Sequence, residues 1–406
     1  MPSLLFNDAT LIDATGRDPR PHTSVLVEEG RIARIAAGGS IATPDGGRSI
    51  DCGGRTLMPG LTDAHVHLGL VAAGAHPPPE SHVSYVMKVA ENMHIALEEG
   101  FTTVRDAGNL DPAYALAVEM GQMAGPRILP AGSVLSQTGW HGDFRPRFDE
   151  RTLESIPGLL AHSEICDGVD AVRAAARRQI RLGATQVKLM ASGGVMSPID
   201  PLESLQFTVE EMAAAVHEAR AFGKYVMAHC HTSGAMNNAL EAGVRSIEHG
   251  SILDERTALR MVKQDAFLVP TLVILEVISR SGQVPEFSRA KMELVRGEMA
   301  GSLDTAIKAG VRIGSGSDLL GPRQSRRASE IVEKAKQLGA MAAIISATRT
   351  NAELFCLSDR IGTVEEGKDA DLIVVDGDPL TDIGCLVEAR NVKLVVKGGA
   401  LVKELQ

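Results

Sequence analysis

Apolar and polar positions in the middle of the chain, residues 58–357, form short β-rich stretches separated by longer amphipathic segments. Eight stretches predict strands, at residues 57–67, 102–108, 127–136, 185–194, 225–231, 246–251, 267–273 and 311–318. Helical patterns lie between most of them. This alternation is typical of a parallel sheet whose strands are joined by crossover helices.

Two of the intervening segments, residues 169–183 and 208–223, have clear helical patterns. The second begins with a capping box, Thr208 followed three residues later by Glu211, and ends on Gly223. Eight strands with interleaved helices over roughly 300 residues predict an α/β fold of the (β/α)8 TIM-barrel type. A doubly wound parallel sheet is the alternative.

The two ends of the chain have a different pattern from the middle. Residues 3–57 and 360–404 contain short β-rich pieces punctuated by Gly, Asp and Pro. Neither end has enough strands to close a sandwich alone. We therefore predict a small discontinuous β-sandwich domain from residues 1–57 plus 358–406, and a hydrolase barrel from residues 58–357.

Composition and charge exclude several classes of protein. The net charge of −10 argues against a nucleic-acid or anionic-membrane partner, because both require clustered positive charge. No apolar run approaches the ~18 residues of a membrane span, and the N-terminus lacks the pattern of a secretory signal. The five cysteines are scattered without a CxxC motif, which fits a reducing compartment. We expect a cytoplasmic protein.

Polar residues that bind metals recur near the ends of the predicted strands. They are His65 and His67 in the first strand, Lys188 in the fourth, His229 and His231 in the fifth, His249 in the sixth and Asp318 in the eighth. The C-terminal ends of barrel strands meet at one face, where active sites lie. Residues two apart in a strand also share a face, so His65 and His67 can approach one ion.

A single buried histidine is most often a hydrogen-bonded core residue. Burying so many polar groups together without a cation would be costly, however. Imidazole and carboxylate groups favour zinc-like ions, so the set predicts a metal site. Two points stay open on the residues alone: Lys188 could instead form an ion pair with Asp318 or another acid, and either His229 or His231 could reach the metal.

The combined motifs resemble the amidohydrolase superfamily of metal-dependent hydrolases over nearly the whole chain. They are MPGLTDAHVHLG (58–69), TTVRDAG (102–108), VKLMASGGVMSP (187–198), MAHCHT (227–232), SIEHGS (246–251), GSGSDLLG (314–321) and LSDRIGTVEEGKDADLIVVDGDP (357–379). Within this superfamily the chain is most similar to the branch that contains imidazolonepropionase-related proteins and binuclear, prolidase-like Xaa-Pro dipeptidases.

The resemblance implies two divalent ions, expected to be Zn²⁺, and a homo-oligomer. One ion would bind His65, His67 and Asp318, the other would bind His229 and His249, and an N6-carboxylated Lys188 would bridge them. His141, in the GWHGD loop after the third strand, and His231 would face the substrate.

The expected reaction is attack of a metal-bridging hydroxide on an amide or peptide carbonyl. Asp318 would accept the proton and return it to the leaving amine, and His231 or His141 would polarise the carbonyl. The expected substrate is a dipeptide or an N-acyl-amino acid, with the Xaa-Pro class first and aromatic amide conjugates such as mycotoxins also considered.

Other substrates and other roles remain open. Arg323, in the loop after the eighth strand, could clamp a substrate carboxylate, although at least two of Arg323, Arg326 and Arg327 are expected to lie in solvent at the start of a helix. An imidazolonepropionase-like cyclic-amide hydrolase is disfavoured by Lys188. A deaminase would carry a glutamate near the fifth-strand histidine, where Gly234 lies instead. A metal-free scaffold would have lost ligands that this chain retains.

Overall fold

The computed structural model describes residues 2–71, 81–145, 147–149, 151, 154–280 and 284–405. In chain order its strands are β1 (Leu4–Leu11), β2 (Arg20–Glu28), β3 (Arg31–Ala37), β4 (Arg48–Asp51), β5 (Thr56–Pro59), β6 (Leu61–Val66), β7 (Phe101–Asp106), β8 (Arg127–Pro130), β9 (Leu135–Ser136), β10 (Glu164–Ile165), β11 (Gln186–Met190), β12 (Tyr225–Thr232), β13 (Ser246–Ile252), β14 (Phe267–Val269), β15 (Arg312–Ile313), β16 (Leu372–Val375), β17 (Val392–Lys397) and β18 (Ala400–Glu404).

Helices lie between most strands of the middle segment and also follow its last strand. They are α1 (His82–Glu98), α2 (Ala113–Glu119), α3 (Val169–Leu182), α4 (Val209–Ala221), α5 (Ser233–Ala242), α6 (Glu255–Lys263), α7 (Ile274–Arg280), α8 (Glu286–Ala309), α9 (Ser329–Leu338), α10 (Ala340–Ser346) and α11 (Arg349–Leu354). Of the helices in this described part of the chain, none combines the length and apolar character that a bilayer crossing requires.

Strands from both ends of the chain pair in one mixed sheet of eight. Its order is β18-β17-β16-β5-β1-β2-β3, with β4 also paired to β1. The two ends meet where β16 runs antiparallel to β5, with Ile373 opposite Met58. Phe6, Leu57 and Val374, which come from both ends, share one buried apolar cluster. The chain therefore begins this sheet, leaves it, and returns to complete it.

The middle of the chain forms two sheets in which every pairing is parallel. Their orders are β6-β7-β8 and β10-β9-β11-β12-β13-β14-β15. Backbone hydrogen bonds connect them at two places: Thr185, just before β11, donates to the carbonyl of Pro130 in β8 at 2.8 Å, and Ala64 in β6 donates to that of Ser315, just after β15, at 2.7 Å. Parallel sheets joined in this way are consistent with a TIM barrel.

The helix patterns at 169–183 and 208–223 are confirmed. Helix α3 ends at Gly183, whose φ of 109° suits the left-handed cap. Helix α4 begins with both hydrogen bonds of the Thr208–Glu211 capping box in place. The apolar faces of α3 to α6 pack against β11 to β14 in the largest buried cluster, so the core lies between the parallel strands and their helices.

The predicted strand at 127–136 is wrong as one element. It divides into β8 and β9, because Gly132 has a φ of 74° that breaks the extended backbone. The two-residue strand β10 was not predicted. The predicted strand at 311–318 also shortens to β15, and the GSGSD segment leaves the ladder before Asp318.

Candidate active site

His65, His67 and Asp318 converge at the ends of β6 and of the segment after β15. One ligand atom from each lies within 4.8 Å of the others. The Oδ1 atom of Asp318 is 3.6 Å from His65 Nε2 and 3.4 Å from His67 Nε2. The backbone N–H of Asp318 donates to the carbonyl of His65 at 2.8 Å. This bond places the carboxylate beside the two imidazoles.

Glu248 orients His65 from behind. Its Oε2 lies 2.7 Å from His65 Nδ1, and both carboxylate oxygens accept from Arg105 Nη2 at 2.9 and 3.0 Å. All three side chains are buried. His65 Nε2 is buried and has no hydrogen-bond partner among the described residues, so this nitrogen is available to a metal. A carboxylate behind a ligating histidine is a common means of fixing its tautomer.

Sequence reasoning missed Arg105 and Glu248, although one signal was available. Each is a charged residue within a predicted buried strand, TTVRDAG and SIEHGS. A buried charge requires a partner of opposite sign. Arg105 and Glu248 have opposite charges, so each was a candidate ion-pair partner for the other.

His229 and His249 lie next to the first group. The His249 ring is 5.0 Å from that of His65 and 4.5 Å from that of His229, measured between centroids. His229 Nε2 is 3.2 Å from the carbonyl oxygen of Gly193, so this nitrogen carries the proton and Nδ1 is left as the acceptor. His249 Nδ1 is 2.7 Å from Thr271 Oγ1. Each imidazole thus keeps one nitrogen for a ligand.

Lys188 is buried in the wall of the same cavity. The Asp318 carboxylate lies 3.6, 3.4 and 3.9 Å from ring nitrogens of His65, His67 and His249, and no ion pair of Lys188 occurs in the described ranges. Burial lowers the pKa of Lys188 to about 8, against the opposing effect of Glu248 and Asp318. The alternative that the sequence left open, an ion pair of Lys188 with Asp318 or another acid, is therefore not formed.

Burial also keeps the histidines neutral. It lowers the pKa of His67 to about 4 and that of His231 to about 3, with the charge of Lys188 as the next cause. It raises the pKa of Asp318 to about 7, and a bound cation would favour the carboxylate. Neutral imidazoles with a carboxylate are the donor set of zinc-like ions. The residues therefore fit a divalent metal.

A cavity of about 340 Å³ opens above these residues. His141 and His231 line it together with the other histidines, and an apolar wall is formed by Met196, Ile274, Leu275, Val295, Met299 and Leu320. The His141 ring lies 4.4 Å from that of His229. A Cβ on Gly194 would come within 2.5 Å of the His141 imidazole, so glycine there permits this position of His141.

The sequence model of the amidohydrolase family matches residues 56–402. The chain belongs to the amidohydrolase family. It is 35% identical to the ochratoxinase of Aspergillus niger over 373 residues, which cover 86% of this chain and 75% of that protein. The solved structure of a prolidase complexed with N-methylphosphonate-L-proline has a TM-score of 0.93 and 38% identity, covering 99% of this chain and 100% of that one.

A solved Xaa-Pro dipeptidase with methionine bound in its active site is also similar. Its TM-score is 0.89 and its identity 31%, and the alignment covers 99% of this chain and 100% of that one. This amidohydrolase is therefore a hydrolase that acts on carbon–nitrogen bonds.

The Arg323 side chain does not reach the active-site cavity. Its side chain is 76% exposed and lies 3.6 Å from a carboxylate oxygen of Glu91. Arg326 is 60% exposed and pairs with Glu388, whereas Arg327 is fully buried, 3.5 Å from Asp63. None of the three lines the cavity, so we do not include Arg323 among the proposed substrate contacts.

Proposed function

We propose that this amidohydrolase cleaves the amide bond of a dipeptide or an N-acyl-amino acid, with Xaa-Pro substrates as the first class to test. The observation that carries the proposal is the group of His65, His67 and Asp318 within one 4.8 Å cluster, in a cavity shared with Lys188. The proposed frame is a (β/α)8 barrel of residues 58–357 with a β-sandwich domain of residues 1–57 plus 358–406.

We assign two divalent ions, expected to be Zn²⁺, to this site. His65, His67 and Asp318 would hold one, and His229 and His249 the other. Lys188 would bridge them as a carbamate, in which its amine nitrogen bonds to carbon dioxide and releases a proton. The burial of Lys188, its lack of an ion pair within the described residues and its lowered pKa support this role, because the neutral amine is the reactive form.

The metals, when bound, supply Lewis acidity, which lowers the pKa of water and polarises the substrate carbonyl. Asp318 accepts the proton of the attacking water and passes it to the leaving nitrogen. His231 Nδ1 lies 2.9 Å from Ser251 Oγ. When that hydroxyl donates, the imidazole proton is on Nε2, from which it can donate to the carbonyl oxygen. His141 is the second candidate donor.

The apolar wall supports a bulky apolar or aromatic acyl group in the substrate, since burying such a group in a preformed apolar cavity is favourable. The similar proteins support the same substrate classes: one is an ochratoxinase, and two solved structures are a prolidase and a Xaa-Pro dipeptidase. Lys188 at the site disfavours the cyclic-amide hydrolase.

The test is a substrate panel assayed with the metal-loaded protein. It contains Xaa-Pro dipeptides, other dipeptides, N-acyl-amino acids with apolar acyl groups, imidazolone propionate and nucleobases. We expect turnover of the first three classes, and Lys188→Ala should lose activity and metal together. Turnover of only a ring amide or a nucleobase amine, or full activity of Lys188→Ala, would contradict the proposal. Lys308→Ala, an exposed lysine of α8, is the matched control.

A further inference from the structure

We infer that Lys291 is a positioning residue that joins two neighbouring elements lining the active-site cavity, the 193–201 loop and helix α8, and thereby sets substrate affinity. Lys291 lies in α8, and its ammonium donates to three backbone carbonyls, those of Gly194 at 3.0 Å, Ser197 at 2.8 Å and Asp200 at 2.5 Å. A lysine has three N–H donors, so all of them are used on one loop.

The loop held by Lys291, residues 193–201, contacts the proposed machinery directly. The carbonyl of Gly193 accepts the hydrogen bond of His229 Nε2. Gly194 packs against the ring of His141 so closely that a Cβ could not fit. Val195 lines the cavity. A shift of this loop would therefore move a proposed substrate donor and part of the cavity wall.

Helix α8 also lines the cavity. Phe287, Val295 and Met299 line the cavity from this helix. Val295 also packs with Val195 of the loop in a small apolar cluster that is separate from the main core. The loop and the helix are thus connected twice, by the apolar contact and by the hydrogen bonds of the Lys291 ammonium. Both connections lie beside the cavity.

A lysine is suited to this place because the 193–201 loop has few partners of its own for its carbonyls. Inside the loop, the carboxylate of Asp200 accepts from the Gly194 N–H at 2.8 Å and from the Ser197 hydroxyl. These bonds satisfy donors only. Of the three carbonyls that Lys291 contacts, that of Gly194 also accepts from the Ser197 N–H at 3.4 Å. A cation can satisfy all three together, and the Asp200 charge attracts it further.

The test compares Lys291→Met with Lys308→Met. Both lysines are in α8, but Lys308 is 74% exposed and pairs with Asp304 of the same helix. For the best wild-type amide substrate we expect Lys291→Met to raise KM roughly 10- to 100-fold, with a much smaller change in kcat. Loss of contacts that bind substrate and transition state equally raises KM alone, and a misplacement near 1 Å can cost about 100-fold. Metal content should equal that of the wild type.

Hydrogen exchange supplies a second readout that needs no substrate. Peptides covering residues 193–201 should exchange faster in Lys291→Met and at the wild-type rate in Lys308→Met. Lys291→Arg, which keeps the charge and donors, should recover part of both effects. If Lys291→Met does not fold, Lys291→Gln, which keeps one donor group, takes its place with the same expectations.

Wild-type KM together with wild-type exchange in the loop would overturn the inference, and so would a loss confined to kcat or to metal content. The kinetic arm rests on the proposed function, whereas the exchange arm does not. If the wild type hydrolyses none of the amides, the proposed function fails. The role of Lys291 is then judged by hydrogen exchange alone, and unchanged exchange in Lys291→Met would reject it.

Discussion

The Nδ1 atom of His65 lies 2.7 Å from Oε2 of Glu248, and the same carboxylate pairs with Arg105, so a fully buried ion pair supports the first proposed metal ligand. Such second contacts fix the orientation of a histidine and its basicity.

Glu248→Gln should weaken metal binding, because the amide is a poorer acceptor for His65 and leaves the Arg105 charge buried without its partner. We expect metal affinity to fall about 10- to 100-fold and the free energy of unfolding to fall by about 3–5 kcal/mol. Competition with a chromophoric chelator and urea unfolding measure the two effects. Glu241→Gln, at a 61% exposed residue, should change neither. Wild-type metal affinity in Glu248→Gln would refute the orienting role.

Removal of the divalent metal should abolish hydrolysis. Dialysis against a chelator is expected to leave an inactive protein, and added Zn²⁺ should restore activity in proportion to the metal bound. Asp318→Asn should stay inactive after metal is added, with kcat reduced about 10²- to 10⁴-fold by the loss of proton transfer. Full activity in a sample shown by elemental analysis to be metal-free would exclude the proposed chemistry.

Gly194→Ala should displace His141, since the new Cβ would lie within 2.5 Å of its imidazole. A higher KM for the amide substrate is the expected result, with unchanged metal content because His141 is not among the proposed ligands. The control is Gly297→Ala within α8, where, among the described residues, no side chain and no other element lies within 4 Å of the added Cβ. That change should be neutral or stabilise the helix by up to about 1 kcal/mol. Equal KM values in the two variants would show that the His141 ring can move without loss of substrate affinity.

Glu330 should make a contribution to stability that falls with rising pH. Burial raises the pKa of this carboxyl to about 8, from 4.5. Between these values the folded state holds a proton that the unfolded state has lost, so the stabilisation is complete below about pH 4.5 and disappears as the pH passes 8. Glu330→Gln should flatten this fall in urea unfolding measured from pH 5 to 8. Glu333→Gln, in the same helix, should keep the wild-type slope, and identical slopes in all three proteins would contradict the assignment.

Much of the site was predictable because its members follow local rules. His65 and His67 are two apart in a strand and share a face by geometry alone. The capping box at Thr208 needs only four neighbouring residues. Lys188 and His249 lie within predicted strands, and parallel strands bring their ends together. These features depend on short stretches of chain, so the sequence was sufficient to expect them.

The arginines after β15 show where such rules stop. Arg323, Arg326 and Arg327 lie within five residues of one another, yet their side chains are 76%, 60% and 0% exposed. Their composition and spacing allow a substrate clamp, a solvated surface or a buried partner equally well. Only the course of the loop directs Arg327 to Asp63 and Arg323 to Glu91, away from the cavity.

The sequence by itself determined which residue types are available and on which face of each strand they lie, because side-chain direction follows from backbone periodicity. Tertiary structure alone decided how they meet. Asp318, with a φ of 54°, reaches His65 through a backbone hydrogen bond between residues 253 positions apart. The support of His65 by Glu248 spans 183 positions, and that of Asp200 in the 193–201 loop by Lys291 spans 91. Contacts between such distant residues depend on how whole elements pack, and no local pattern encodes that packing.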